Sequence, residues 1–539
     1  MSALLVLLMA ASVSARTLRV PSEYRTIQSA LSAISRNDTV LVAIGTYAEA
    51  LYAPSCPFTI KGDVAPDTGD YPRPILDPAG LPGCDSLCCL TLPGGSAPVI
   101  EDIHFRNGAG MYPRHNWGIG GIKAAFSRAT FQRCIFDSLY WGLSMSEPCS
   151  LQLDQSRFVN CYNPVLSDTA TFVHATDCLF ASRGWAQLYV SGSAIIERCQ
   201  FGDNDDGPQC EVDHDVQIRD CQFGPSIPGG PQASYEIVQL YEPNGVIENN
   251  VFTGLRLGRA LMTAACSCTD SDRVRIVHNS ILNCYVDSTI QNGSSEIYFA
   301  CQNYYVSPCG AEIDSNVFNN IAAHHAPCRG IDFDRGADGT AICNHFRQLT
   351  SQPLQGYSGV FRIGHTSWLN LHDNRFFSTG VAFVDNRDGN LGPLDLRGNW
   401  WSAPSGPYHA IQNPTGQGDT IISNYVDFSG WCLDTACTRM GAKESRIKPL
   451  PTAFTLTAFP NPFNNETAIR FEAPEPQIVR IELFDILGRR VKELWAGAIA
   501  DEKEIRLDGS EMASGIYFVR VTDTIYHRLL ASTKVVLLK

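Results

Sequence analysis

The densest run of ionisable side chains is "GDNDDGPQCEVDHDVQIRD", Gly202 to Asp220. It holds Asp203, Asp205, Asp206, Glu211, Asp213 and Asp215, with His214 among them and Arg219 near its end. Hard carboxylate oxygens that converge in one turn can bind Ca²⁺, which takes about six to eight oxygen ligands. The competing reading is a solvated acidic turn that binds nothing. A second set is aromatic: Tyr140, Trp141, Tyr162 and Trp185 recur at similar spacing. On one outer face these rings form a strip for stacking on sugars; turned inward they are only core or loop packing.

Both sets depend on what positions them, and the sequence names it. Aligned on one aromatic, "QRCIFDS" (Phe136), "LDQSRFVN" (Phe158), "ATDCLFAS" (Phe180), "IERCQFGD" (Phe201) and "IRDCQFGP" (Phe223) recur at intervals of 22, 22, 21 and 22 residues. Looser copies centre on Phe105, Phe252, Leu282, Phe318, Phe376 and Trp401. A fixed period of this length means stacked supersecondary units. "VQIRDCQF" alternates apolar and polar residues and is rich in Val, Ile and Phe, so the units are strands. At about 3.3 Å per residue, one period is a path of roughly 70 Å, enough for one coil of three short strands. Two residues before the aromatic stand Cys134, Ser156, Cys178, Cys199, Cys221, Asn250, Ser280, Asn316, Asn374 and Asn399. Small or amide residues at one recurring position read as a ladder, in which amides bond up and down the stack and thiols pack as small groups.

The chain has 539 residues, 44% hydrophobic and 18% charged, which supports a folded core and more than one folding unit. A net charge of −14 argues against nucleic acid as a partner. The opening "MSALLVLLMAASVSA" reads as a signal peptide, with small residues Val13 and Ala15 at the positions that direct cleavage after Ala15. No later stretch is long and apolar enough to span a bilayer as a helix. Export fits the twenty cysteines, for which disulfides are the expectation in an oxidising compartment. Their pairing is not readable. "CSC" at 266 to 268, Cys88 with Cys89, and Cys432 with Cys437 lack zinc-site spacing.

These repeats resemble the right-handed parallel β-helix proteins of the pectin-lyase-like superfamily, over roughly residues 17 to 431. The entrance "YRTIQSALSAISRNDTVLVAIGTYAEAL" is similar to the start of that fold, with Ile27, Ala30, Leu31 and Ile34 on one helical face to plug the first coil. "GNWWSAPSGPYHAIQNPTGQGDTIISNYVDFSGW" resembles its closing segment. The resemblance implies a polysaccharide partner. In its pectate lyases, calcium and an Arg base abstract a proton beside a uronate carboxylate, and Arg219 or Arg256 would stand for that base. In its hydrolases clustered aspartates act as acid and base, which points to Asp205 and Asp206. The lyase spacing, the "GHG" of the hydrolases and the methylesterase motifs do not appear, so no catalytic residue is carried over.

Residues 438 to 453 read as a linker. From 454 to 539 about seven short alternating strands suggest a small Ig-like β-sandwich. Its ordered marks are "PNPFN" at Pro460 to Asn464, "FDILGRRV" around Gly488, "GIYFVRV" from Gly515 and the tail "KVVLLK". They resemble the type A sorting domain of type IX secretion, which implies the secretion machinery as a partner and an outer-surface or secreted location. A generic appended sandwich is the alternative. The expectation is therefore an all-β chain: signal peptide (1–15), β-helix with capping helix (16–437), linker (438–453) and sorting sandwich (454–539). It binds, and in an enzymatic version cleaves, extracellular polysaccharide; the alternative is a non-catalytic adhesion or structural solenoid.

Overall fold

The computed structural model describes residues 15–539 apart from 66–70, 83–87, 108–120, 168–170, 183, 185, 203–208, 227–236, 242–243, 258–259, 266–272, 288–294, 301–309, 325–327, 335–337, 353–358, 364–367, 378–380, 386–393, 424–425, 438–453, 474–476, 500–501, 511 and 524–528. The signal segment up to residue 14 and the linker thus lie outside the described residues. Two compact units are present, Met1–Ser182 and Arg183–Lys539.

In the first unit the chain visits three parallel sheets in rotation. One coil runs Ala97–Glu101, His104–Arg106, Ile122–Ala124, and the next runs Arg128–Gln132, Ile135–Asp137, Trp141–Met145. Each strand pairs in parallel with its counterpart one coil later. Period-two alternation makes this work, because every strand sends alternate residues inward, as in Pro57–Gly62, where Phe58, Ile60 and Gly62 are buried. The repeat aromatics stack inside: Phe105 on Phe136 at 5.2 Å, Phe136 on Phe158 at 4.5 Å and Phe158 on Phe180 at 5.1 Å between ring centroids. Each such pair is worth about 0.5–1.5 kcal/mol beyond its burial. The entrance helix is short, Ile27–Leu31, and buries Ile27, Ala30 and Leu31. Ile34 falls beyond it and is only half-buried. A Thr26–Ser29 capping box starts the helix, and Glu49 accepts from the Ile27 and Gln28 amides at 2.9 and 2.8 Å.

The second unit repeats the rotation from Leu188–Val190 to Val426–Asp427. It has its own inner stack, through Phe201, Phe223 and Phe252, and later through Phe318, Phe346, Phe376 and Trp401. Beside it runs an amide ladder: Asn250, Asn279, Asn316, Asn344, Asn374 and Asn399, all buried. Each Oδ1 accepts a backbone amide of the coil before, and those of Asn279, Asn316, Asn344 and Asn374 accept its side-chain Nδ2 as well; that of Asn279 takes the Asn250 amide at 2.9 Å and its Nδ2 at 3.0 Å. Two of these residues correct the sequence alignment. Phe252 pairs with Ile281, not Leu282, so the ladder residue is Asn279 and not Ser280. A one-residue slip exchanges the two faces of a strand, and here it went unseen because Ser280, Ile281 and Leu282 are all buried. The copy "ICNHF", with Asn344 and Phe346, was missed.

The thiols of the ladder serve as small groups. Cys134 and Cys221 are unbridged, the Cys199 amide donates to Cys221 Sγ at 3.4 Å, and burial pushes the Cys134 thiol up to about 12. Among the described residues Cys432 and Cys437 are bonded to each other. The C-terminal strands form antiparallel sheets of three and four strands, from Thr455–Phe459 to Leu529–Leu537, around a core that includes Phe463, Ile469, Ile481 and Val519.

Candidate functional site

The acidic run is spread over different faces. Asp203, Asp205 and Asp206 lie outside the described residues, as does Trp185. Glu211 sits on the outer side of Cys210–Val212, buried and in register between Tyr189 and Gln239. Asp213 accepts from Ser191 Oγ at 2.9 Å, and His214 and Asp215 are exposed. Arg219 belongs to another sheet and faces Glu248 at 3.6 Å, while the Arg256 amide donates to Ser226 Oγ at 3.1 Å. Among the described residues no group of three or more His, Cys, Asp or Glu side chains is arranged to hold a metal.

Of the aromatic set, Tyr140 and Tyr162 face outward and stack on each other, 5.0 Å apart and 5° from parallel. Trp141 turns inward, with only 6% of its surface exposed, and meets Tyr140 edge-on. The tyrosines therefore use one ring face each on one another.

A concave site that the sequence reading missed lies in the first unit. Thr46, Ile75, His104 and Ile135 occupy one outward row of the second sheet, in register. Tyr71, Pro72 and Arg73, in the long segment between Gly62 and Ile75, wall that row into a groove of about 510 Å³, with Ile44 on its lining. A rigid bracket holds the wall. Asp102, fully buried, takes Arg133 Nε at 2.8 Å and Nη2 at 3.0 Å, and also accepts from the Tyr71 hydroxyl. Burial and that hydrogen bond raise the Tyr71 pKa, so the phenol stays protonated. Arg73 lies 3.8 Å over the Tyr71 ring and donates to the Arg133 and Tyr71 carbonyls at 2.9 and 3.1 Å. Its charge is thereby fixed at the groove wall.

His104 forms part of the floor. Its Nε2 is buried, makes no hydrogen bond and stands 3.7 Å from Asp137 Oδ2. Burial lowers its pKa and outweighs the Asp137 carboxylate, so the imidazole is neutral near pH 7. Among the described residues, Asp77 pairs with Arg106 at 2.9 Å, and Glu101 with Lys61 at 2.9 Å and Arg133 at 3.2 Å. The groove thus combines an oriented cation, a neutral proton acceptor, a protonated phenol and apolar Ile44, Ile75 and Ile135. The available signal in the sequence was the interrupted coil itself, "DYPRP", a Tyr before one proline and an Arg between two.

Residues 457–532 match the family described as the secretion system C-terminal sorting domain. Its marks have structural roles here: Phe463 is buried, Asn461 bonds the Lys534 carbonyl and the Val536 amide at 2.7 and 2.9 Å, and Asp485 closes the Gly488 turn. No curated protein matches the chain. Among solved structures it is similar to PfbA, a surface adhesin of Streptococcus pneumoniae (11% identity, 64% of this chain, 88% of that one, TM-score 0.34). It is also similar to the catalytic domain of a GH87 alpha-1,3-glucanase (9%, 77% and 69%, 0.35) and to an alginate lyase from Paenibacillus sp. (13%, 62% and 98%, 0.25). The chain is a parallel β-helix whose C-terminal domain is a type IX secretion sorting domain, which places the protein at the cell surface or in the medium.

Proposed function

We propose that this extracellular solenoid binds an acidic polysaccharide in the groove walled by Tyr71, Pro72 and Arg73. The observation that carries the reading is the fixed guanidinium of Arg73 beside an apolar floor. A uronate ring offers matching chemistry, with apolar C–H faces for Ile75 and Ile135 and a carboxylate for the cation. Tyr140 follows Ile135 by only five residues, past the strand Ile135–Asp137, so its exposed edge can flank the next sugar along the coil. For cleavage, neutral His104 would serve as the base that takes the proton beside a carboxylate neutralised by Arg73, while the Tyr71 hydroxyl stays committed to Asp102.

The test is binding of the purified exported protein to acidic and neutral polysaccharides, with products followed as unsaturated ends and reducing ends. Binding of acidic chains that falls at least about tenfold in Arg73→Ala supports the reading. Equal binding of neutral chains, or no loss in Arg73→Ala, refutes it. Binding with no product makes the protein an adhesin-like binder; unsaturated product that disappears in His104→Gln makes it a lyase.

A further inference from the structure

Arg16, the residue before the first strand Thr17–Val20, is tied to the next coil by more than sheet pairing requires. The sheet bond is the Thr39 amide donating to the Arg16 carbonyl at 2.8 Å. In addition the backbone N–H of Arg16 donates to Asp38 Oδ1 at 2.8 Å, and its Nε and Nη2 reach Asp38 Oδ2 at 3.0 and 2.6 Å. The Ser35 amide adds a fourth donor at 2.8 Å. The Asp38 side chain has no exposed surface, while Ala15, directly before Arg16, is exposed. The Arg16 side chain, with these backbone donors, holds the Asp38 carboxyl at about 2, well below its usual range.

Two independent features meet at one peptide bond. The small residues Val13 and Ala15 mark Ala15–Arg16 for a signal peptidase. The nitrogen of that same bond already points at a buried carboxylate. We infer that hydrolysis of the Ala15–Arg16 bond creates an N-terminal ammonium that clasps Asp38, so that export processing completes the first coil. Water supplies the balance: its oxygen goes to the Ala15 carboxylate, and the Arg16 nitrogen leaves as an amine and takes up a proton. A dipolar N–H thereby becomes a full charge at the same site, adding the attraction of an ion pair to a bond whose acceptor is already ionised. A cut one residue later would remove Arg16 and three of the four donors to Asp38.

The experiment begins with the exported protein, whose first residue is read by mass spectrometry; Arg16 is expected, and any other residue overturns the inference. Amide exchange is then compared between the chain starting at Arg16 and one retaining Ala15. The amides of Thr17–Val20 and Thr39–Val42 should exchange about tenfold faster when Ala15 is retained, and the two chains should behave alike with Asp38→Asn. Nα-acetylation of the mature chain, which removes the charge without changing a side chain, should reproduce the loss even if Asp38→Asn unravels the first coil. Unchanged exchange after acetylation, or a difference that persists in Asp38→Asn, overturns it.

Discussion

Replacing Asp102 by Asn tests the bracket behind the groove without touching a residue that lines it. The carboxylate is fully buried and accepts two bonds from Arg133 and one from Tyr71. Removing one partner of a buried ion pair costs about 3–5 kcal/mol. Arg133 keeps 23% of its side chain exposed and retains Glu101 at 3.2 Å, which brings the expected loss down to about 2 kcal/mol. The control is Glu101→Gln: Glu101 pairs with Lys61, which is 40% exposed, so that loss should be about 0.5 kcal/mol. Amide exchange separates the two. The bonds from Asp102 N to the Gln132 carbonyl and from Ile135 N to the Ile103 carbonyl cross this bracket. They should exchange roughly thirtyfold faster in Asp102→Asn and about twofold faster in Glu101→Gln. Because Arg73 is anchored on the Arg133 carbonyl, polysaccharide affinity should fall with Asp102→Asn as well. Equal exchange in the two variants would refute the reasoning, since it would mean that burial does not decide the strength of these pairs.

In the amide ladder, Asn316→Ala strips the acceptor from the Asn279 amide and the donor from the Ile276 carbonyl, so urea unfolding should register a loss of about 2–4 kcal/mol. Ser156→Ala removes a single buried acceptor, that of the Cys134 amide, and should cost about 1 kcal/mol; equal losses would deny the ladder its role. Asp38 sets a pH dependence at the N-terminal end. Its folded pKa lies below the unfolded value, so its contribution is complete above about pH 4 and fades as pH falls toward about 2, read as amide protection of Thr17–Val20. Protection that stays constant over that range would contradict the assignment. Cys134, Cys161 and Cys221 should resist a thiol reagent in the folded protein and react once denaturant is added, and rapid labelling in buffer would show that the interior opens.

The solenoid was legible because one coil's requirements repeat. Phe136, Phe158 and Phe180 sit at equal spacing for the same reason that their rings stack, and the recurring amides Asn250, Asn316, Asn374 and Asn399 are all members of the buried ladder. Legibility failed where the period stretched. Between Phe252 and Phe318 the spacing widens, and the reading fixed on Leu282, although Ile281 holds the inner slot. The sandwich marks were legible for another reason: Asn461 and Phe463 clamp the last strand, so motif and fold are the same contacts. The aromatic set shows the limit of spacing. Trp141 opens its strand with a buried ring, while Tyr140, in the bend just before it, stays exposed and meets that ring edge-on.

The groove shows why sites escape a repeat-based reading. The residue just before the ladder adopts a left-handed turn in coil after coil: Asp102, Arg133, Gln155, Asp177, Arg198 and Asp220 all have φ between 49° and 58°. Short polar residues tolerate this conformation, so an aspartate there is unremarkable. Asp177 and Asp220 are exposed, as the turn alone would leave them. Asp102 has the same residue type, the same backbone and the same place in the coil, yet it is fully buried and holds Arg133 and Tyr71. What differs is the segment carrying Tyr71 and Arg73, which covers this one turn and converts a solvated carboxylate into the strut of a groove wall. Burial strengthens that pair several-fold over its exposed equivalents. The repeat supplies a row of nearly equivalent turns, and a single inserted loop selects which of them becomes a site. Shortening that loop should therefore return Asp102 to the behaviour of Asp177 and abolish the groove while leaving the stack of Phe105, Phe136 and Phe158 in place.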